Sequence, residues 1–199
     1  MQVLKRLAEQ FEKLPGIGPK SAMRLAHHVL FVQSSADTAA FAQAVRESKS
    51  NLKLCPSCFS ISEDGLCGIC KNSSRSADVL LVVSDVRDLL AIEETGSYKG
   101  KYHVLGGLLS PLQRVGPEKL RIAELKNRIA AGQIREVILG TVQTAEGEVT
   151  AYYLMDQLKS FDVKLTRLGA SLPVGWALEY MDGMTVSKAI LNRQEMSAG

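Results

Sequence analysis

Four cysteines in two close pairs, Cys55-x2-Cys58 and Cys67-x2-Cys70, constrain this chain more than any other feature. They are its only cysteines, and eight residues separate the pairs. A loop that short lets four thiolates close around one tetrahedral ion. Within it, Glu63-Asp64-Gly65 reads as a tight turn. Disulfides fit poorly: after Lys5 and Arg6, the polar residues Glu9, Gln10 and Glu12 interrupt any apolar signal core, so the expected compartment is the cytoplasm. A redox pair needs one thiol of low pKa, usually at a helix start behind a βαβ strand, whereas these pairs sit in a short polar knuckle. Free thiols and a redox pair stay as alternatives. The spacing favours a zinc site, one Zn2+ per chain on Cys55, Cys58, Cys67 and Cys70. Four sulfurs leave no open coordination position, so such a zinc is structural rather than hydrolytic.

The rest of the chain is long enough for one medium domain with small appendages, at 199 residues, 46% of them hydrophobic. No apolar run approaches the roughly 18 residues of a membrane span. A net charge of +3 permits an anionic partner without demanding one. Aromatics form no basic–aromatic strip for stacking bases, so any nucleic-acid contact is expected to go through backbone and charge.

Residues 1–54 read as helical. Leu4, Leu7, Phe11 and Leu14 recur at helical spacing, Pro15-Gly16-Ile17-Gly18-Pro19 stops that helix, and Ser21 caps or starts a second with Ala22, Leu25, Ala26, Val29 and Leu30 inward. Residues 36–49 make a third helix. The zinc knuckle covers 55–71, and residues 72–76 form a short linker. Strands and helices then alternate: Val79–Val83 is an aliphatic run suited to a strand buried on both faces, followed by a helix over 85–93, a strand over 102–105, a long helix over 117–131, a strand over 136–139, a helix over 148–160 and a strand over 163–168. That order implies an α/β fold with a parallel-rich sheet, spanning residues 77–172. A loop at 172–175 and a last helix over 185–192 form a C-terminal arm, 173–199. Since the sheet has its own core, the α/β domain is expected to survive loss of the knuckle.

Two further motifs carry chemistry. Leu14-Pro15-Gly16-Ile17-Gly18-Pro19-Lys20-Ser21-Ala22 has the form of a helix-hairpin-helix. Gly16 and Gly18 permit a tight turn and let a phosphate approach bare N–H groups, while Lys20 and Arg24, four apart on one helical face, add charge to the same phosphate line. His27 and His28 extend that face. The plainer reading is a Gly-Pro turn with solvated basic residues. The second motif is a set of acids, Asp85, Asp88, Glu93 and Glu94 after the first buried strand and Glu146 and Glu148 after the third, placed either to hold Mg2+ at the carboxyl edge of the sheet or simply to cap and solvate helices. His103, within a strand, reads as a core or edge histidine. The glycine loop Gly106-Gly107-Leu108-Leu109-Ser110-Pro111-Leu112 reads as a turn with close backbone approach, flanked by Arg114 and Lys119.

Over essentially its full length the chain resembles the RecR family of bacterial recombination mediators. The resemblance rests on LPGIGPKSA from Leu14, the CPSC and CGIC pairs, AIEETGSYKGKYHVLGGLLSPL from Ala91, VILG and EGEVTAYYL after Val137, and LTRLGASLPVGWALEYMDGMTVSKAI near the end. It implies a helix-hairpin-helix, a four-cysteine zinc finger, a Toprim domain and a C-terminal arm resembling a Walker B region. It further implies a homo-oligomeric ring around duplex, gapped or single-stranded DNA, which works with RecO and RecF to load the recombinase RecA where single-strand-binding protein coats the DNA. By position, the four cysteines match the zinc ligands, Gly16, Gly18, Lys20 and Arg24 the DNA-facing hairpin, and Glu146 an acid associated with partner binding. The chain departs from the family at Ser84, where a glutamate is usual, at Val142-Gln143, where Asn-Pro is frequent, and at Trp176, where a second glycine is usual. Catalytic Toprim enzymes use that glutamate and an Asp-x-Asp pair; this chain has neither. The expectation is therefore a scaffold with no catalytic residues and no membrane contact, the rivals being a Mg2+-dependent Toprim nuclease or primase and a zinc-stabilised protein-interaction module that does not bind DNA.

Overall fold

The computed structural model describes residues 1–169 and 178–196. It divides into two compact units, Met1–Leu52 and Lys53–Gly199. The loop expected at 172–175, and Trp176, lie outside the described residues.

The first unit holds α1 (Gln2–Glu12), α2 (Pro19–Phe31) and α3 (Ser35–Asn51). Ala8, Ala22 and Ala26 are buried where α1 meets α2, with Leu4, Leu7, Phe11 and Ile17 packed around them. Small residues at the crossing let the two helices approach closely. Pro19 sits in the first turn of α2, where its missing N–H costs nothing, and Gly18 is the N-cap, so the helix begins two residues before Ser21. Leu25 and Leu30, expected inward, are 39% and 51% exposed, because α1 covers only the alanine stripe. Ser34 caps α3 by accepting from Asp37 N at 3.1 Å. No residue of α3 is buried, and its Phe41 and Val45 are exposed.

The second unit opens with the cysteine knuckle. Its parts are β1 (Lys53–Leu54), antiparallel to β2 (Ile61–Ser62), and α4 (Gly68–Lys71), whose N-cap is Cys67. Gly65, at φ +58°, supplies the left-handed turn expected between the pairs. Next come β3 (Val79–Val83), α5 (Val86–Glu94), β4 (Lys101–Val104), α6 (Ile122–Ala130), β5 (Glu136–Leu139), α7 (Ala145–Leu158), β6 (Lys164–Arg167), α8 (Gly183–Leu191) and β7 (Gln194–Glu195). The sheet runs β4-β3-β5-β6-β7, parallel except for β7. Central β3 alternates as its period of two requires. Leu81 and Val83 enter a core with α5 and α8, whereas Leu80 and Val82 enter another with α6 and α7.

Two expectations change. The long helix at 117–131 is broken into a 3-10 turn, Pro117–Lys119, and α6, because Leu120 turns extended to bury its side chain and Arg121 N donates to Leu105 O at 2.9 Å. The last helix starts two residues early, capped by Asp182, which accepts from Thr185 N at 2.9 Å. Its apolar stripe, Val186, Ala189 and Ile190, is buried against its own sheet.

The knuckle is built onto β4, an edge strand of the sheet. Val104 N donates to Cys58 O at 2.8 Å. Phe59, held at φ +62°, lies edge-on to His103 with ring centroids 5.4 Å apart and under the Arg121 guanidinium at 5.0 Å. Phe59 and Ile69 pack against the core that α5 and α8 share. The knuckle thus covers strand edge that would otherwise offer unpaired backbone groups.

Candidate metal centre, hairpin and acidic edge

The four cysteine sulfurs all lie within 4.8 Å of one another, and Cys58 Sγ and Cys67 Sγ are 3.5 Å apart. A tetrahedron with bonds of ~2.3 Å has sulfur–sulfur edges of about 3.8 Å, so the set fits one ion. No disulfide joins them. Backbone turns set this geometry: Phe59 N donates to Cys55 O at 2.9 Å, Cys55 N to Ser60 O at 2.7 Å, and Lys71 N to Cys67 O at 2.9 Å. Cys67 N also points at Cys55 Sγ, 3.4 Å away. The hydrogen bond from Cys58 pulls the Cys70 thiol down to about 5, while Cys58 itself is pushed well above the ordinary thiol range. Crowded sulfurs of this kind are arranged for a cation.

In the helical unit, Gly16 sits at φ +81°, and Ile17 N donates to Leu14 O at 3.2 Å to close the turn. Gly18 is extended, and a Cβ there would meet nothing within 4 Å. Gly16 is therefore required by conformation; Gly18 instead leaves the mouth of the helix open. The first-turn amides of Lys20 and Ser21 have no carbonyl one turn upstream in α2. Lys20 and Arg24 are both exposed and make no ion pair among the described residues. A groove of about 1040 Å³ follows this side of α2, lined by Lys20, Arg24, His27 and His28 with Met23 and Phe31. The two histidines do extend the basic face.

At the carboxyl edge of the sheet, the acids divide by partner. Asp85 caps α5, accepting from Arg87 N at 2.7 Å and pairing with the Arg87 guanidinium at 2.6 Å. Asp88 completes a capping box by accepting from Asp85 N at 3.3 Å. Glu93 is bound by Arg75 at 2.5 Å and by Tyr102 OH at 2.6 Å. Glu148 takes two bonds from Arg167, at 2.7 and 2.5 Å, which hold its carboxyl below the usual range. Glu146, in the first turn of α7, has no ion pair among the described residues and lines a cleft of about 540 Å³ with Ser84, Asp85, Gly106 and Gly107. Thr144 caps α7 by accepting from Gly147 N at 3.1 Å, and a Cβ on Gly147 would meet Val142 O, so only glycine fits between the two glutamates. Thr150 ties the glycine loop to this helix: its Oγ1 accepts from Leu109 N at 2.9 Å. Ser84 is buried, and its hydroxyl has no hydrogen-bond partner among the described residues.

Of the acids expected at this edge, Glu146 is left without a cap or an ion pair among the described residues. Ser84 offers no charge, Asp85 and Asp88 are spent on the helix cap, and Glu148 on Arg167. Among the described residues, the four cysteines are the one gathered set of three or more potential ligands. His103 is a core residue: fully buried, with Nε2 2.8 Å from Arg121 O. Sequence reasoning missed Arg167, Arg75, Lys101 and Arg128, whose partners lie 18 or more residues away along the chain.

Asp88 and His103 pull stability in opposite directions. Burial first, then the Asp85 charge, raises Asp88 from 3.8 to about 6, so its contribution is full below about pH 4 and is lost as pH rises to 6. Burial lowers His103 from 6.5 to about 4, so its contribution is full above pH 6.5 and is lost as pH falls to 4. Asp88→Asn keeps a cap acceptor and is expected to stabilise the protein by roughly 1–3 kcal/mol at pH 7. The same change should steepen the loss of stability from pH 6.5 to 4. Denaturant midpoints across that range check both, and an unchanged midpoint at pH 7 refutes the assignment.

Comparison with known proteins agrees with this arrangement. Residues 4–49 match the family model "RecR, helix-hairpin-helix", residues 78–169 the Toprim domain, and residues 172–194 "RecR, C-terminal". The chain is 45% identical over 192 residues to a protein named Recombination protein RecR from Nocardioides sp., covering 96% of each. Its namesake in Desulforudis audaxviator is 46% identical over 191 residues, again 96% of each chain, and that of Gloeothece citriformis 45% over 193, covering 97% of this chain and 96% of that one. Identity at this level over nearly the whole of each chain shows the family, and the chain belongs to the RecR family.

Proposed function

We propose that this chain is a DNA-binding scaffold of recombinational repair, acting in the cytoplasm without bond-breaking chemistry of its own. The observation that carries this reading is the hairpin. Lys20 and Arg24 stand exposed and, among the described residues, without acidic partners beside the open mouth of α2, in a chain whose relatives are named recombination proteins. Amides and ammonium or guanidinium groups bind phosphates without reading bases, so the contact is to backbone, on duplex, gapped or single-stranded DNA. The ion in the knuckle is Zn2+, one per chain, since four thiolates in a tetrahedron are its preferred set. It shapes the knuckle and supplies no reaction.

Several chains act together as a closed oligomer. One hairpin gives too few phosphate contacts for tight binding, and the exposed Leu30, Phe31, Val32, Phe41 and Val45 of the helical unit leave apolar surface that a second copy would cover. Glu146, which has no ion pair among the described residues, is the contact for a RecO-type partner, with a RecF-type protein also engaged in loading recombinase. The rival reading, a Mg2+-dependent nuclease or primase, lacks the gathered acids that phosphoryl transfer needs.

The test is a DNA titration at several salt concentrations alongside a solution mass. Affinity should fall steeply with salt and the mass should be a multiple of the chain. Salt-insensitive binding, or a monomer with and without DNA, counts against the reading. Glu146→Lys should weaken binding of a RecO-type protein by about tenfold or more while leaving zinc content and direct DNA affinity unchanged. Equal binding of the partner by both forms removes Glu146 from that role.

A further inference from the structure

Two cations meet the knuckle from the α/β domain. Lys101, at the start of β4, donates through Nζ to three backbone carbonyls around the second cysteine pair: Ile69 O at 2.9 Å, Cys70 O at 3.1 Å and Asn72 O at 2.8 Å. Arg128, on α6, donates through Nη1 to Ser57 O at 3.2 Å, inside the first cysteine pair, and to Tyr102 O at 2.6 Å on β4. Both side chains are half-buried, and neither has a carboxylate partner among the described residues. They converge with Ser57 and Cys70 on one cavity of about 300 Å³. Cys70 is the one cysteine of the four that is not fully buried.

Two half-buried cations bound only by carbonyls are costly unless a nearby anion balances them. Four thiolates around a divalent ion carry a net charge of −2, and Lys101 and Arg128 together carry +2. Each also grips one of the two cysteine pairs by its backbone. We infer that Lys101 and Arg128 are positioning residues of the four-cysteine centre, which hold its two halves on β4 and neutralise the charge of its four thiolates. The inference rests on the zinc reading above. It goes beyond that reading in making retention of the ion depend on the sheet domain and not on the cysteines alone. Lys71 serves as a contrast. Among the described residues its Nζ bonds only Asp64 O, at 3.2 Å, on the exposed outer side of the knuckle.

The experiment measures zinc release from the full chain into excess of a neutral phenanthroline chelator, whose lack of charge keeps electrostatic attraction of the chelator out of the rate. Zinc content of the unaltered protein is measured first. Lys101→Met and Arg128→Met should each speed release about tenfold, and Lys101→Arg should stay within about twofold of the parent, because it keeps charge and donors. Tyr98→Phe is the control for general destabilisation. It removes hydrogen bonds to Val79 O and Lys101 O in the same strand pair without touching charge, and should lower the melting temperature with release unchanged. Release at the parent rate from folded Lys101→Met and Arg128→Met overturns the inference, as does release from Tyr98→Phe as fast as from either. If one Met variant does not fold, the other and the Lys101→Arg comparison decide. Absence of zinc from the parent overturns the zinc reading itself, and this inference with it.

Discussion

Cys67→Ser is expected to cut bound zinc from one per chain to nearly none and to destabilise the sheet domain by about 3 kcal/mol. The loss reaches the sheet because the knuckle is part of its edge. With the ion gone, the turn that places Phe59 beside His103 and Ile69 against the core loses its cross-link and is left to its hydrogen bonds. Val104 N then loses Cys58 O, and β4 becomes an open edge. The domain should still fold, since β3, β5, α6 and α7 keep a core in which no knuckle residue takes part. It should, however, melt earlier and associate as its concentration rises. Metal analysis, thermal melts and light scattering check the three parts. A variant that keeps its zinc, or loses it with no change in melting, contradicts the account.

Joint replacement of Lys20 and Arg24 by glutamate should weaken DNA binding by at least a hundredfold, on the order expected for two lost phosphate contacts and two new repulsions in every chain. The slope of log affinity against log salt should fall by about two per chain for the same reason. Both residues are exposed while Ala22 and Ala26 carry the packing of α2, so the fold should be intact. A titration at low salt on gapped duplex reads the effect. Binding within threefold of the parent by a folded variant removes the hairpin from DNA contact.

Much of this molecule was legible from local pattern, for physical reasons that differ from part to part. Cysteine spacing is itself a geometry, so the metal set followed from Cys55, Cys58, Cys67 and Cys70 alone. Val79–Val83 announced a strand buried on both faces because each face needs its own apolar residues, and Leu80 and Leu81 indeed enter separate cores. What was not legible depends on partners distant in sequence. Strand β7 is only Gln194–Glu195, two polar residues that pair with β6 because Arg193 is drawn to Glu136, 57 residues away. The helix expected at 117–131 had the right periodicity, and a tertiary bond from Arg121 N to Leu105 O broke it. Glu146 and Glu148 looked alike in sequence. Only the position of Arg167 at the end of β6 separates the paired acid from the unpaired one.

On the scaffold reading proposed above, this chain holds DNA without cutting or extending it. The direct measurement incubates purified protein with end-labelled gapped DNA in Mg2+ and, separately, in Mn2+, and reads binding and strand length from the same samples. Binding should be salt-sensitive and lost in the Lys20 and Arg24 double variant, with every strand unchanged in length. Strands shortened or extended by the parent protein, and unchanged when Glu146 is replaced by lysine, would contradict it and establish the nuclease or primase reading instead.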